Sequence, residues 1–142
     1  MIPAIVISVI FLDQLTKFLA ASFLQLNTPV ILIKNFLNLS LVHNRGAAFG
    51  ILKNQLFVFV TISLLAITLI IYHLKDKKKS LLSSISLSLI LAGAAGNLID
   101  RLRFGFVIDF LDFRVWPVFN LADSAITIGV ILLSWELLWK KN

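Results

Sequence analysis

The sequence predicts an all-α membrane protein of four transmembrane helices, with a small extracytoplasmic β-sheet between the first two helices and an interfacial segment between the last two. Hydrophobic residues make up 59% of the 142 residues, and the mean hydropathy is +0.98. Soluble domains are only about 45–50% apolar, so the excess must face lipid. Residues 2–24, 56–74, 81–98 and 123–139 form apolar runs near the length of about 20 residues that spans a bilayer. We expect one integral membrane domain over residues 1–142.

The first predicted span carries charge at mid-depth. Asp13, Gln14 and Lys17 interrupt it, and no basic segment precedes it, so we interpret it as a retained helix rather than a cleaved signal peptide. Asp13 and Lys17 are four residues apart and can pair on one helix face. The pair either stabilises the bundle or, as ionisable groups within a span often do, serves function directly.

The segment between the first two spans contains a strand pattern. Leu37-Asn38-Leu39-Ser40-Leu41 alternates apolar and polar residues with period two, which is typical of a half-buried strand. Asn44-Arg45-Gly46 then indicates a turn. We expect a small sheet on the membrane surface, with a flexible interfacial loop as the alternative.

Basic residues predict the orientation of the spans. The loop at residues 73–79 contains four lysines, and Lys140 and Lys141 close the chain. The positive-inside rule assigns both segments, and hence both termini, to the cytoplasmic side. Residues 25–55 and 99–122 would then face outward, while Glu136 is expected at the cytoplasmic interface.

Polar residues cluster where the third span ends. Asn97 and Arg101 share a helix face and would line the outer mouth of the bundle, beside Asp100. Arg101 can offer a planar fork of donors to a carbonyl or carboxylate. Snorkelling of Arg101 to the membrane surface is an equally good interpretation.

The remaining outer carboxylates are candidates for catalysis. Asp109 and Asp112 lie within an apolar run, and Asp123 opens the fourth span. Two carboxylates held close together share a proton and can act as base and acid on a water molecule. The pattern alone does not choose between Asp109 and Asp112. Asp123, with Asn120 before it, could also be a simple helix cap.

Several kinds of site are disfavoured. The chain has no cysteine, which excludes disulfides and thiol nucleophiles. His43 and His73 fall in different segments, so we expect no metal or cofactor site. Charges flank apolar runs rather than forming a basic patch, so nucleic acid is not an expected partner.

Five motifs in order give the chain its resemblance to a known family. They are Asp13-Gln14-Leu15-Thr16-Lys17, Asn44-Arg45-Gly46-Ala47-Ala48-Phe49, Gly96-Asn97-Leu98-Ile99-Asp100-Arg101, Gly105-Phe106-Val107-Ile108-Asp109-Phe110 and Phe119-Asn120-Leu121-Ala122-Asp123-Ser124. Any one of them is weak, but together, on a four-span chain, they resemble the lipoprotein signal peptidase (signal peptidase II) family.

The resemblance implies an aspartyl endopeptidase of the bacterial cytoplasmic membrane with an outward-facing active site. It would remove signal peptides from prolipoproteins by cutting before a diacylglyceryl-modified cysteine, and globomycin-type antibiotics would inhibit it. By the motif match, Asp109 and Asp123 are the catalytic pair and Asp112 is a bystander. The remaining matches are to substrate-binding positions (Asn44, Gly46, Asn97, Arg101 and Asn120, which also supports Asp123) and to structural positions (Asp13, Lys17 and Asp100).

Two rival functions fit parts of the sequence. A different membrane protease would need a serine–lysine dyad or a Gly-x-Gly-Asp motif, and the sequence offers neither in a recognisable setting. A small transporter could keep Asp13 as an ion site. A transporter should depend most on Asp13, whereas the protease should depend on Asp109 and Asp123.

Overall fold

The computed structural model of the chain describes residues 1–46, 54–76 and 78–139. Its elements in order are α1 (Ile2–Phe23), β1 (Val30–Ile33), β2 (Leu37–Asn44), α2 (Leu56–Leu74), α3 (Leu81–Phe104), β3 (Val107–Asp112) and α4 (Leu121–Trp139). Motif residues Ala47, Ala48 and Phe49, and the basic residues Lys77, Lys140 and Lys141, lie outside the described ranges.

All four helices are long and apolar enough to cross a membrane, as predicted. Their apolar side chains point mostly outward, and α2 buries none of its own residues within the bundle. Such exposure would be costly in water, but it suits a lipid environment. The hydrophobic effect therefore does little to hold the helices together, and close packing and polar contacts must do so.

Helix α3 is the centre of the bundle and packs against each of the other three helices, most extensively against α4. Small residues allow this approach. A side chain at Gly93 would collide with Ala122 of α4, and one at Gly129 of α4 would collide with Ser86 and Ile90 of α3. The two helix backbones consequently lie in direct contact.

Helix α3 extends beyond the predicted span end at Leu98 and closes at Phe104. Gly105 adopts a left-handed conformation with φ of 78°, and its N–H donates to the Arg101 carbonyl at 3.0 Å, which is a common helix ending. Hydropathy falls after Leu98 because Asp100 and Arg101 follow, but these residues stay helical and face protein partners. The polar motif thus lies on a rigid helix.

The predicted strand is confirmed as part of β2, and the sheet is antiparallel in the order β1-β2-β3. The third strand, β3, comes from the segment between α3 and α4, where the sequence indicated only an interfacial segment. Ile108 and Phe110 of β3 pack with Ala20 of α1 and Leu41 of β2 in a small apolar core. That packing anchors the sheet to the bundle.

The strands connect α1 to α2, and α3 to α4, at one end of the bundle, so the helices alternate in direction. We call this end, where Phe23, Leu56, Phe104 and Leu121 lie, the sheet end. The opposite end is the Glu136 end, where α4 finishes and α3 begins.

Candidate active site

Two carboxylates from different elements face one cavity at the sheet end. Asp109 lies in β3 and Asp123 lies in the first turn of α4. The cavity has a volume of about 290 Å³. Its lining includes both aspartates and four of the residues predicted to bind substrate: Asn44, Gly46, Asn97 and Arg101. The fifth, Asn120, is fully buried directly behind the two carboxylates.

Asp109 is 1% exposed and is held by two amides. Asn44 on β2 donates to its Oδ2 at 2.8 Å, and Asn120 donates to its Oδ1 at 2.7 Å. The Gly46 N–H donates to the Asn44 side-chain oxygen at 3.0 Å, which leaves the Asn44 amide group to face Asp109. The turn at Gly46 therefore fixes one donor of the site.

The pKa of Asp109 is raised from 3.8 to about 7. Burial is the largest cause of this rise, and the negative charge of Asp123 is the second. The hydrogen bonds from Asn44 and Asn120 and the charge of Lys17 act in the opposite direction. Desolvation is the dominant cause because it disfavours the ionised carboxylate. Asp109 can therefore hold or release a proton near neutral pH.

Asp123 takes part in a helix cap and also faces the cavity. The Asn120 side-chain oxygen accepts from the Asp123 N–H at 2.9 Å, and the Asn120 N–H donates back to Asp123 Oδ2 at 3.3 Å. This reciprocal pair is a capping box. Asp123 Oδ1 accepts from the Asn97 amide at 2.8 Å. The capping interpretation is thus confirmed without removing the carboxylate from the site.

Lys17 lies at the centre of a buried network behind the cavity. Its ammonium contacts Asp13 Oδ2, Asp100 Oδ2 and the Asn97 side-chain oxygen, each at 2.9 Å. The predicted Asp13–Lys17 ion pair is present, and both side chains are buried. Because Lys17 donates to the Asn97 oxygen, the Asn97 amide group must face Asp123.

The two carboxylates around Lys17 also bind backbone groups next to the site. Asp13 Oδ1 accepts from the Ala122 N–H at 2.9 Å, one residue before Asp123. Asp100 Oδ2 accepts from the Ile108 N–H at 3.1 Å, one residue before Asp109. Each member of the pair is consequently tied through its neighbour to the α1–α3 network.

Two contributors were missed by sequence reasoning. Gln14 donates to Asp100 Oδ1 at 2.9 Å, and its position in the first motif was the available signal. Phe59 of α2 lines the cavity with the Arg101 guanidinium 4.9 Å from its ring centroid. An aromatic residue in an apolar span gives no signal of this kind.

Other polar residues lie away from the pair. Asp112 accepts from the Ser40 hydroxyl at 2.9 Å and from the Arg114 N–H at 2.8 Å. His43 stacks on Phe106 in the sheet, whereas His73 is near the far end of α2. Among the described residues, no group of three or more His, Cys, Asp or Glu side chains could hold a metal.

Glu136, which is expected at the cytoplasmic interface, lies near the end of α4. Its side chain is 8% exposed and faces α3. It accepts hydrogen bonds from the hydroxyls of Ser80 and Ser83 at the start of α3. These hydroxyl donors allow the carboxylate to stay inside the bundle.

Comparison with known proteins shows the family to which the chain belongs. Residues 5–139 match the family model described as Signal peptidase (SPase) II. The chain belongs to the signal peptidase II family. It is 52% identical over 132 residues to the lipoprotein signal peptidase of Moorella thermoacetica, covering 92% of this chain and 87% of the relative. The corresponding protein of Halothermothrix orenii is 46% identical over 134 residues, with 94% and 92% covered.

A solved structure supports the same conclusion for the fold. A bacterial membrane enzyme determined by the in meso method at 2.3 Å resolution superimposes with a TM-score of 0.93 at 36% identity, covering 99% of this chain and 89% of that one. As a signal peptidase II family member, the chain is a multi-pass bacterial membrane protease that removes signal peptides from prolipoproteins.

Proposed function

We propose that this family member is an aspartyl endopeptidase whose catalytic pair is Asp109 and Asp123. The observation that carries the proposal is that two buried carboxylates from different elements line one cavity, and each is oriented by amide donors. In this proposal, the single membrane domain spans residues 1–142, and it cuts prolipoproteins before a cysteine that carries diacylglycerol.

The pair acts with one shared proton. The ionised carboxylate takes a proton from a water molecule, whose oxygen attacks the scissile carbonyl carbon. The protonated partner donates a hydrogen bond to the carbonyl oxygen. Collapse of the tetrahedral intermediate breaks the C–N bond as a proton passes to the leaving amine. The products are a signal peptide ending in a carboxylate and a lipoprotein with a free cysteine amine, and no covalent enzyme intermediate forms.

The other residues hold the pair and the substrate. Asn44, Gly46, Asn97 and Arg101 line the cavity and offer donors to the extended substrate backbone. Behind them, Asn120 touches both carboxylates, because its side-chain amide donates to Asp109 Oδ1 and its backbone N–H donates to Asp123 Oδ2. The charged cluster of Asp13, Lys17 and Asp100 supports the pair without contacting substrate.

An apolar groove beside the cavity supports a lipid-modified substrate. The groove has a volume of about 480 Å³ and is lined by side chains that include Phe113, Phe119 and Ile128. Asp123 and Thr127 line both the groove and the catalytic cavity. A substrate whose scissile bond lies at the pair can therefore extend its acyl chains into this groove. Globomycin-type inhibitors would occupy the cavity.

The proposed orientation sets the pair on the outer face of the bacterial cytoplasmic membrane. Lys75, Lys78 and Lys79 follow α2 at the Glu136 end, opposite the cavity. The positive-inside rule assigns that end, and with it both termini, to the cytoplasm. Signal peptides exported across the membrane would then reach the pair from the outer leaflet.

The test is cleavage of a diacylglyceryl-modified prolipoprotein by four purified variants, each checked for folding: Asp109→Asn, Asp123→Asn, Asp112→Asn and Asp13→Asn. We expect the first two to be folded and inactive, because either one removes half of the acid–base pair. Asp112→Asn should retain activity, since Asp112 hydrogen bonds away from the cavity. Near wild-type cleavage by Asp109→Asn or Asp123→Asn would show that the proposed mechanism is wrong.

The transporter hypothesis gains nothing from the position of Asp13. Both Asp13 oxygens are engaged, one by Lys17 and one by the Ala122 N–H. An ion site would need a carboxylate that a translocated ion can reach. The Asp13→Asn variant in the same series separates the two functions. A transporter should depend most on Asp13, whereas the protease should depend most on Asp109 and Asp123.

A further inference from the structure

Arg101 lies in the catalytic cavity, and no carboxylate among the described residues is close enough to form an ion pair with it. It lines the cavity together with Asn97 and Asp123 and is half-buried. Lys17 pairs with Asp13 and Asp100, whereas Arg101 forms no ion pair with a residue that the structure describes. A bidentate carboxylate partner would occupy two of the five N–H donors of an arginine. Arg101 instead keeps its guanidinium N–H groups available to a ligand.

Among the described residues, an aromatic ring contacts the guanidinium. The Arg101 Cζ lies 4.9 Å from the centroid of the Phe59 ring, which is within the range of a cation–π interaction. Phe59 belongs to α2 and also lines the cavity. A ring face attracts the cation but, unlike a carboxylate, offers no oxygen lone pairs to its N–H groups. It can therefore orient Arg101 without competing with substrate.

We infer that Phe59 is a positioning residue of the cleavage reaction, which holds the Arg101 guanidinium over the cavity so that it can bind the substrate backbone. This inference rests on the proposed function, because it needs Arg101 to contact substrate. It also gives α2 a role. Helix α2 buries none of its residues and packs mainly on α3, and the Phe59–Arg101 contact is where it reaches the site.

The first experiment changes the ring face while keeping its bulk. Phe59 is replaced by leucine, methionine, tyrosine and tryptophan, and by pentafluorophenylalanine, which keeps the shape of the ring but reverses its quadrupole. The readout is kcat/KM for a diacylglyceryl-modified prolipoprotein peptide in detergent micelles. We expect leucine, methionine and pentafluorophenylalanine to lower kcat/KM by about three- to thirtyfold, the range that one cation–π contact covers. Tyrosine and tryptophan should stay near wild type.

Phe57 provides the matched control. It lies on the same helix but is 82% exposed, so Phe57→Leu should leave kcat/KM unchanged. If Phe59 mattered only for packing, activity would follow side-chain volume, and pentafluorophenylalanine would behave like phenylalanine. That result, or wild-type activity in Phe59→Leu, would overturn the inference. Pentafluorophenylalanine is nearly isosteric, so it decides the question even if leucine unfolds the protein.

Asp123→Asn in the same assay separates the two proposals. If Asp123→Asn is inactive while the Phe59 series is flat, the catalytic pair stands and only the role of Phe59 is wrong. If Asp123→Asn cleaves at the wild-type rate, the proposed function itself fails. If Asp123→Asn is inactive and kcat/KM follows ring character at position 59, both proposals are supported.

Discussion

The α3–α4 packing buries carboxylates at both ends of the bundle, but the two ends differ in what surrounds those carboxylates. At the Glu136 end, serine hydroxyls donate to the carboxylate and the helices close around it. At the sheet end, four carboxylates (Asp13, Asp100, Asp109 and Asp123) surround one buried ammonium, Lys17, and two of them face a cavity. Burial alone therefore does not distinguish chemistry from structure, since both ends satisfy the pairing rule. A surplus of negative charge beside a cavity does distinguish a catalytic site from a structural one, because a proton or a substrate can enter the cavity and neutralise it.

The largest expected difference between the ends concerns catalysis. Asp123→Asn and Glu136→Gln make the same chemical change, carboxylate to amide, at opposite ends of α4. Asp123→Asn should lower kcat by about 10²–10⁴-fold, the usual contribution of acid–base catalysis. Glu136→Gln should lower thermal stability yet keep most of the activity at permissive temperature. Prolipoprotein cleavage and thermal unfolding in detergent measure both. If Asp123→Asn and Glu136→Gln lost activity equally, the two ends would not differ in their role in catalysis.

A second prediction concerns the charge balance around Lys17. Lys17→Met leaves Asp13 and Asp100 buried without their shared cation. Breaking a buried ion pair from one side costs about 3–5 kcal/mol of unfolding free energy. Thermal unfolding of the purified variant should reveal this loss. Adding Asp100→Asn to Lys17→Met removes one stranded charge and should restore part of the stability. A double variant less stable than the single one would argue against charge imbalance as the cause.

The sequence made parts of this comparison predictable because some signals are local. The spacing of Asp13 and Lys17 was enough to predict their ion pair, and the alternation around Leu39 was enough to predict β2. Strand β3 was missed because Val107 to Phe110 are all buried. A strand that is buried on both faces lacks the alternation of apolar and polar residues by which a half-buried strand is predicted.

Other features depend on partners distant in the chain. The lysines that follow Glu136 predict its place near the cytoplasmic interface, but they give no sign of its partner Ser80, which lies at the start of another helix. Asp109 and Asp112 could not be separated by pattern. They are three positions apart on one strand, so they point to opposite faces, and only the pairing of β3 with β2 shows that Asn44 meets Asp109. Phe59 carries no sequence signal because its role requires Arg101 to lie over its ring.

A third prediction concerns how cleavage activity depends on pH, which tests the role of the surplus negative charge. Activity should fall as pH rises through about 7, where Asp109 loses its proton. Because the two carboxylates are coupled, this pKa is an apparent value that belongs to the pair. Because the pKa of Asp109 is higher in the folded state than the ordinary value of 3.8, protonation of Asp109 stabilises the folded protein. This contribution to the unfolding free energy is fully present below pH 3.8 and is lost as the pH rises through about 7. Asn44→Ala removes a hydrogen bond that favours the ionised form, so the falling limb should move to higher pH.

The control for the pH prediction is Ser40→Ala. Ser40 bonds Asp112 rather than Asp109, so its removal should leave the falling limb in place. Values of kcat/KM across the pH range give the position of the limb for the free enzyme, to which the pKa of Asp109 applies. A wild-type rate that stays flat well above neutral pH would count against a shared proton.

The smallest expected effect tests whether the Glu136 end is structural alone. Ser83 donates to Glu136 Oε2 at 2.7 Å, and Ser83→Ala should cost about 1–3 kcal/mol of unfolding free energy, as expected for losing a hydrogen bond to a charged acceptor. Ser88→Ala is the matched change in the same helix. The Ser88 hydroxyl only donates to the Ser84 carbonyl, at 2.6 Å, so its loss strands no carboxylate and should cost less. Both variants should cleave with unchanged kcat/KM once folded. A Ser83→Ala protein of normal stability but reduced kcat/KM would mean that α4 transmits changes along its length to Asp123, and the two ends would then be one functional unit.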